Sequence, residues 1–191
     1  MERSELARQG FRAVGAIVAE SQVTANLARS YEHAGDLGTA RAYLVEALEL
    51  QERGGFAEAR AYTLAMLGYL SEREGDLAAA AEWTAKALAV SGDLQADEYL
   101  GYALLFAADL VQRRGDQERA ARLLGASTAA FSRAAVVPQD EEAARAVQVR
   151  DALSGHAQAK EEGAALDRTS SVELGVASLS RDGSTTDAGA P

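Results

Sequence analysis

The chain has 191 residues, with 19 Lys and Arg against 29 Asp and Glu, so its formal charge is −10. That sign argues against a duplex-DNA or anionic-membrane footprint, since both surfaces attract Lys and Arg. Cysteine is absent, which removes disulfides, thiolate metal sites and thiol nucleophiles. Hydrophobic residues make up 48%, enough for a core, yet only 6% are aromatic and about a fifth are alanine, a composition suited to long helices packed through small residues.

The N-terminal Met1-Glu2-Arg3-Ser4-Glu5 carries both signs of charge and no apolar targeting run follows it. The longest apolar stretch, Tyr99 to Ala108, is about half the ~20 residues of a membrane span. A soluble, cytoplasmic chain with no membrane contact is the expectation. Residues 1–19 read as a partial preceding helix and loop, with 2–9 the remnant of the second helix of an earlier repeat.

From there the chain repeats. Gly-Asp recurs at Gly35-Asp36, Gly75-Asp76 and Gly115-Asp116, a period of forty, and small residues follow at fixed offsets: Ala40, Ala80, Ala120, then Ala47, Ala87, Ser127. A period in this range marks stacked helical repeats. Glycine suits the left-handed position that ends a helix, and the following aspartate can cap the next one. Downstream, Leu77, Ala80, Ala81, Thr84, Ala87 and Leu88 have the spacing of an amphipathic helix. So tight a turn sets the two helices of a repeat antiparallel, with Gly68 against Ala80. The spacing predicts helices over 20–34, 37–52, 57–74, 77–91, 95–114 and 117–134, then one near 139–157. Residues 20–134 form three repeats and 135–180 a C-terminal helical cap. Residues 181–191, with no apolar anchor beyond alanine, read as a disordered tail.

Leu67-Gly68, Gly75, Leu77, Ala80 and Ala87 resemble the tetratricopeptide (TPR) pattern. So do Leu27-Ala28, Tyr31, Gly35, Leu37, Ala40, Leu44 and Ala47 in the first repeat, and Ala107-Ala108, Gly115, Ala120 and Leu124 in the third. The fold this implies is all-α, a TPR-like α-solenoid of antiparallel helix pairs with a C-terminal capping segment. A second resemblance runs from Glu118-Arg-Ala-Ala-Arg-Leu-Leu-Gly125 through Pro138, Glu141-Glu142, Arg150 to Gly155, Glu162-Gly163 and Ser171 to Val176. It is similar to the C-terminal region of the large ATP-binding bacterial transcriptional regulators of LuxR and AfsR type. It lacks the aromatic residues usual near the second glycine, where Gln158 and Lys160 stand. Those regulators join a nucleotide-binding module, a TPR sensor region and a DNA-binding domain. Here no phosphate loop and no basic helix-turn-helix occurs. The resemblance thus implies a non-catalytic sensor or interaction module in signal transduction, or alternatively a free-standing adaptor or self-associating scaffold.

No residue pattern points to catalysis. His33 and His156 stand far apart without accompanying ligands, so neither a metal nor any other cofactor is expected. His33 shares its place with Arg73 and Arg113, a last-turn cation favoured by the helix dipole. The acidic clusters Asp93, Asp97, Glu98 and Asp140, Glu141, Glu142 open helices, where negative charge is favourable. Arg114-Gly115-Asp116 is turn and cap, no Gly-x-Ser-x-Gly elbow activates a serine, and Trp83 reads as packing.

By resemblance to TPR arrays, the inner face of each first helix would line a groove. Gln22, Ala25, Arg29, Glu32 and His33 would do so in the first repeat, and Tyr62, Ala65, Tyr69, Glu72 and Arg73 in the second. The third would contribute Tyr102, Leu105, Asp109, Gln112 and Arg113. The candidate partner-binding residues are Arg29, His33, Tyr62, Tyr69, Arg73, Tyr102, Asp109 and Arg113. Stacking would align a tyrosine row beside a basic row, able to hold the backbone or acidic groups of a peptide. The competing reading has the tyrosines filling inter-repeat space and the arginines pairing with Glu32 and Glu72. The expected partner is a protein, peptide or effector, with the ATPase module of the same regulator among the candidates and no direct nucleic-acid binding. An exposed end of the array would suit a homodimer.

Overall fold

A computed structural model describes residues 2–180, which form ten helices and, among the described residues, no strand. They are α1 (Glu2–Ala13), α2 (Ile17–His33), α3 (Leu37–Gly54), α4 (Ala57–Arg73), α5 (Leu77–Asp93), α6 (Asp97–Arg113), α7 (Gln117–Ala134), α8 (Asp140–Ala152), α9 (Ala157–Ala164) and α10 (Arg168–Leu179). No described helix is long and apolar enough to cross a membrane. The expected tail, 181–191, lies outside the described residues.

The unit of the fold is twenty residues rather than forty. Backbone φ is positive at Gly15, Gly35, Gly55, Gly75, Gln95, Gly115 and Ala135, and at each of these the helix closes the same way. The left-handed residue donates its N–H three residues back, and the next residue donates five back, as in Gly35 to Glu32 (2.9 Å) and Asp36 to Tyr31 (2.9 Å). This paired closure satisfies two carbonyls that the helix end would otherwise leave free. At the first six turns the second donor is also the N-cap of the next helix. Within each pair α2–α3, α4–α5 and α6–α7 that residue is an aspartate: Asp36, Asp76 and Asp116 accept from the backbone N–H three residues on, at 3.0, 2.9 and 3.1 Å. Between pairs it is Ala16, Phe56 or Ala96, with no side-chain cap. Only the capped turns have the Gly-Asp signature, which is why forty is the period that stands out in the sequence.

Neighbouring helices in the row pack against each other. The small residues at the repeat offsets are where they meet: Ala40, Ala80, Ala120, Ala47, Ala87 and Ser127 are all buried. A Cβ on Gly68 would lie 3.3 Å from the carbonyl of Ala80 and 2.7 Å from the Thr84 hydroxyl, so α4 and α5 approach at backbone distance. Apolar side chains fill two clusters. A smaller one around Leu44, Met66, Leu67 and Leu70 holds α2 to α4. A larger one, including Leu88, Leu100, Leu104, Leu105 and Leu123, extends from α4 to the C-terminal helices. Each fully buried leucine contributes about 1.5–3 kcal/mol relative to exposure.

The boundaries depart from expectation at three places. The first repeat helix starts at Ile17 because Gly15 makes the same turn as the later glycines, and the segment before it is a full twelve-residue helix. The single helix expected near 139–157 ends at Ala152. Leu153 is buried there, and a turn closed by His156 N–H on the Leu153 carbonyl (3.1 Å) redirects the chain into α9. α9 lies on α7, and α10 folds back against α5, α6 and α7, with Gly175 against Leu88 and Leu104. α8 packs on α6 and α7 through Val149 and Leu153.

Candidate functional site

Three alternate helices, α2, α4 and α6, stand side by side, and α8 crosses near them. Between them lies a cavity of about 250 Å³. α2 contributes Arg29, Glu32 and His33, α4 Tyr62, Met66 and Tyr69, and α6 Glu98, Tyr99, Tyr102 and Phe106. Gln139, Glu142 and Arg145 come from the start of α8 and the residue before it. The helical period explains the selection. Tyr62, Met66 and Tyr69 are spaced four and three apart on one face of α4, as are Tyr99, Tyr102 and Phe106 on α6.

Beside the cavity runs a staggered set of ion pairs. Glu32 of α2 accepts from Arg73 of α4. Glu72 of α4 meets Arg113 of α6 at 2.8 Å. Both carboxylates are buried, as is Asp109, which Arg113 also meets at 3.1 Å. Arg145 of α8 closes the set by donating to Glu72 at 2.5 Å and to Asp109. Its guanidinium lies 5.2 Å above the Tyr69 ring and 5.1 Å above that of Phe106. The carboxylates are buried but Arg73 and Arg113 are 37% and 41% exposed, so removing either arginine leaves a buried charge without its partner at less than the ~3–5 kcal/mol of a fully buried pair. Charge reversal at Arg73 or Arg113 would set two carboxylates together, so these arginines carry a structural charge balance.

The tyrosines sit in a drier environment than surface phenols. Desolvation is the chief cause that lifts the Tyr62 pKa above its ordinary value; Arg29, which donates to its hydroxyl at 2.7 Å, works against that rise. Burial likewise raises Tyr99 and Tyr102, with Glu98 adding to both and Glu142 to Tyr102. All three remain neutral rings with hydroxyl donors across the physiological range. Arg113 is raised: burial opposes its charge, but Asp109 and Glu72 outweigh that cost.

Of the eight residues singled out in the sequence, Arg29, His33, Tyr62, Tyr69 and Tyr102 line this one cavity. Arg73, Asp109 and Arg113 are engaged in the ion pairs alongside it. Met66, Glu98, Tyr99, Phe106, Glu142 and Arg145 were not on that list. Glu98 and Tyr99 precede Tyr102 by a helical turn, which was a usable signal. Arg145 had none, because its carboxylate partners lie 36 and 73 residues away. Trp83 is partly buried against the core with the Lys86 ammonium 4.3 Å from its ring centre. Among the described residues no group of three or more His, Asp or Glu is placed to hold a metal. Compared with family models, curated proteins and solved structures, the chain matches none.

Proposed function

We propose that this chain is a non-catalytic, TPR-like interaction and sensor module, cytoplasmic, and part of an ATP-binding transcriptional regulator of LuxR or AfsR type. Its ligand, a protein, peptide or small effector, binds the face formed by α2, α4 and α6. The observation that carries this reading is the cavity on that face, where five aromatic rings and a set of charged groups from four helices converge. Rigid rings offer contact area at low entropic cost, and the ion pairs beside them hold the helices at fixed separation. Because α8 supplies one wall, a ligand there alters how the C-terminal helices sit, and that movement is the signal passed to a docked ATPase module. The forty-residue pattern of Gly-Asp turns and the glycines 125 and 163 support the family assignment.

The purified chain should show neither ATP hydrolysis nor duplex-DNA binding above background; either activity would overturn the module reading. In a thermal-shift screen of short peptides and metabolites, compounds that raise the melting temperature of the wild type should lose that effect in Tyr102→Ala. Hits indifferent to Tyr102→Ala would place the ligand elsewhere.

A further inference from the structure

We infer that the cavity between α2, α4, α6 and α8 takes an alkylammonium cation, seated on Tyr99 and Tyr102 and neutralised by Glu98 and Glu142. The inference rests on the reading of this cavity as the ligand site and narrows it to one class of charge.

Most of the charge lining the cavity is already spent. Glu32 is bonded to Arg73, and Arg145 to Glu72 and Asp109. Arg29 donates to the Tyr62 hydroxyl and lies 5.9 Å from the centre of that ring. Glu98 and Glu142 form no ion pair among the described residues. The His33 imidazole stands 3.5 Å from Glu32, so the charged groups left to meet a ligand are one guanidinium and two carboxylates, a balance of −1. An anion would gain Arg29 and face two repelling carboxylates; a cation gains both.

The rings point the same way. Three of the five aromatic rings in the cavity, Tyr62, Tyr69 and Phe106, already have a guanidinium of the chain itself within 6 Å of the ring centre. Tyr99 and Tyr102 have none, and they are the two phenols on which the negative field of Glu98 acts. A cation there meets half-buried aromatic faces together with the half-buried carboxylate of Glu142 and the exposed one of Glu98. A cavity of about 250 Å³ has room for an ammonium on a short alkyl chain, and Met66 in its lining offers an apolar contact for the methylenes. Both a diffusible amine and a lysine side chain of a peptide carry this group.

The chain has two methionines, Met1 and Met66, so methyl-labelled methionine gives a spectrum in which Met66 reports on the cavity floor. Titration with n-butylammonium and with doubly blocked lysine should shift the Met66 methyl saturably, and titration with butyrate should not. The double variant Glu98→Gln, Glu142→Gln should bind the cations about tenfold more weakly while staying folded, its melting temperature falling only by the small helix-dipole contribution of two first-turn carboxylates. Cation binding unaffected by that variant overturns the inference. Saturable butyrate binding lost in Arg29→Gln overturns the choice of charge and leaves the cavity as a ligand site. Response to none of the three probes overturns both readings. Tighter binding of the free amine assigns a diffusible ligand; tighter binding of the blocked lysine assigns a peptide.

Discussion

At one end of the helical row, α1 contributes no buried residue and is tethered by charge. Arg8 reaches Glu5 and Glu46, at 2.5 and 2.7 Å, and lies 5.3 Å from the Tyr43 ring centre, while Arg12 reaches Glu20 and Glu46. At the other end, α9 is pressed onto α7 until backbones touch. A Cβ on Gly125 would fall 2.0 Å from the Lys160 carbonyl oxygen, and one on Gly163 would fall 1.9 Å from that of Arg122. α10 is tied in by buried Leu179 and by Arg168 on Asp97 at 2.8 Å. Burial raises the Asp97 pKa, but Arg133 and Arg168 more than offset this and hold it below the ordinary range. Both ends are helix on helix. One is closed by contacts that water and salt can replace, the other by shape, for which there is no substitute.

The same small substitution should act with opposite sign at the two ends. Gly163→Ala places a methyl group into the Arg122 backbone and should cost about 3 kcal/mol, releasing α9. A denaturation midpoint equal to the wild type would show that α7 and α9 can slide apart cheaply. Gly10→Ala, in α1 with nothing within 4 Å of the new methyl, should instead stabilise by about 0.5–1 kcal/mol through helix propensity. A loss of stability there would mean that α1 is packed more tightly than its exposure indicates.

Charge at the α1 end should matter least and respond most to solution conditions. Arg8→Met should cost about 0.5 kcal/mol or less at physiological salt, and the difference should vanish near 1 M salt, where the screening length falls to about 3 Å. Hydrogen exchange of the α1 amides measures this directly. Glu5 adds a pH dependence: the hydrogen bond from Arg8 holds its carboxyl below the ordinary glutamate range. That contribution is complete above the ordinary value and is lost as pH falls through the lowered one. Protection factors in α1, with the intrinsic pH dependence of amide exchange divided out, should therefore fall on acidification before those in α9, whose Glu162–Arg122 pair is backed by backbone packing. A simultaneous fall would remove the distinction between the ends.

The turns account for what could be read beforehand. Gly35-Asp36, Gly75-Asp76 and Gly115-Asp116 placed three helix pairs within a few residues. The half-period stayed hidden because Gln95 and Ala135 take the left-handed conformation with no glycine to announce it, and because Ala16, Phe56 and Ala96 are not recognisable caps. The cavity was half legible. Tyr62 and Tyr102 lie one period apart on a face the repeat specifies, whereas Arg145 reaches the ion pairs from a helix outside the repeat. The close approach of α7 and α9 was visible only as two glycines. Nothing in their spacing said that Gly125 meets the Lys160 backbone and Gly163 that of Arg122, since the whole of α8 intervenes.

The stagger of the ion pairs has a consequence for modularity. Glu32 joins Arg73 and Glu72 joins Arg113, each carboxylate reaching an arginine forty-one positions on. The link is the same at both steps, so it has translational symmetry: cutting out or duplicating one forty-residue block regenerates an acid facing a base at the new junction. An insertion of a single twenty-residue helix would exchange the two faces of everything beyond it and leave the buried carboxylates opposite the wrong helices. In its electrostatics, the array counts in forties.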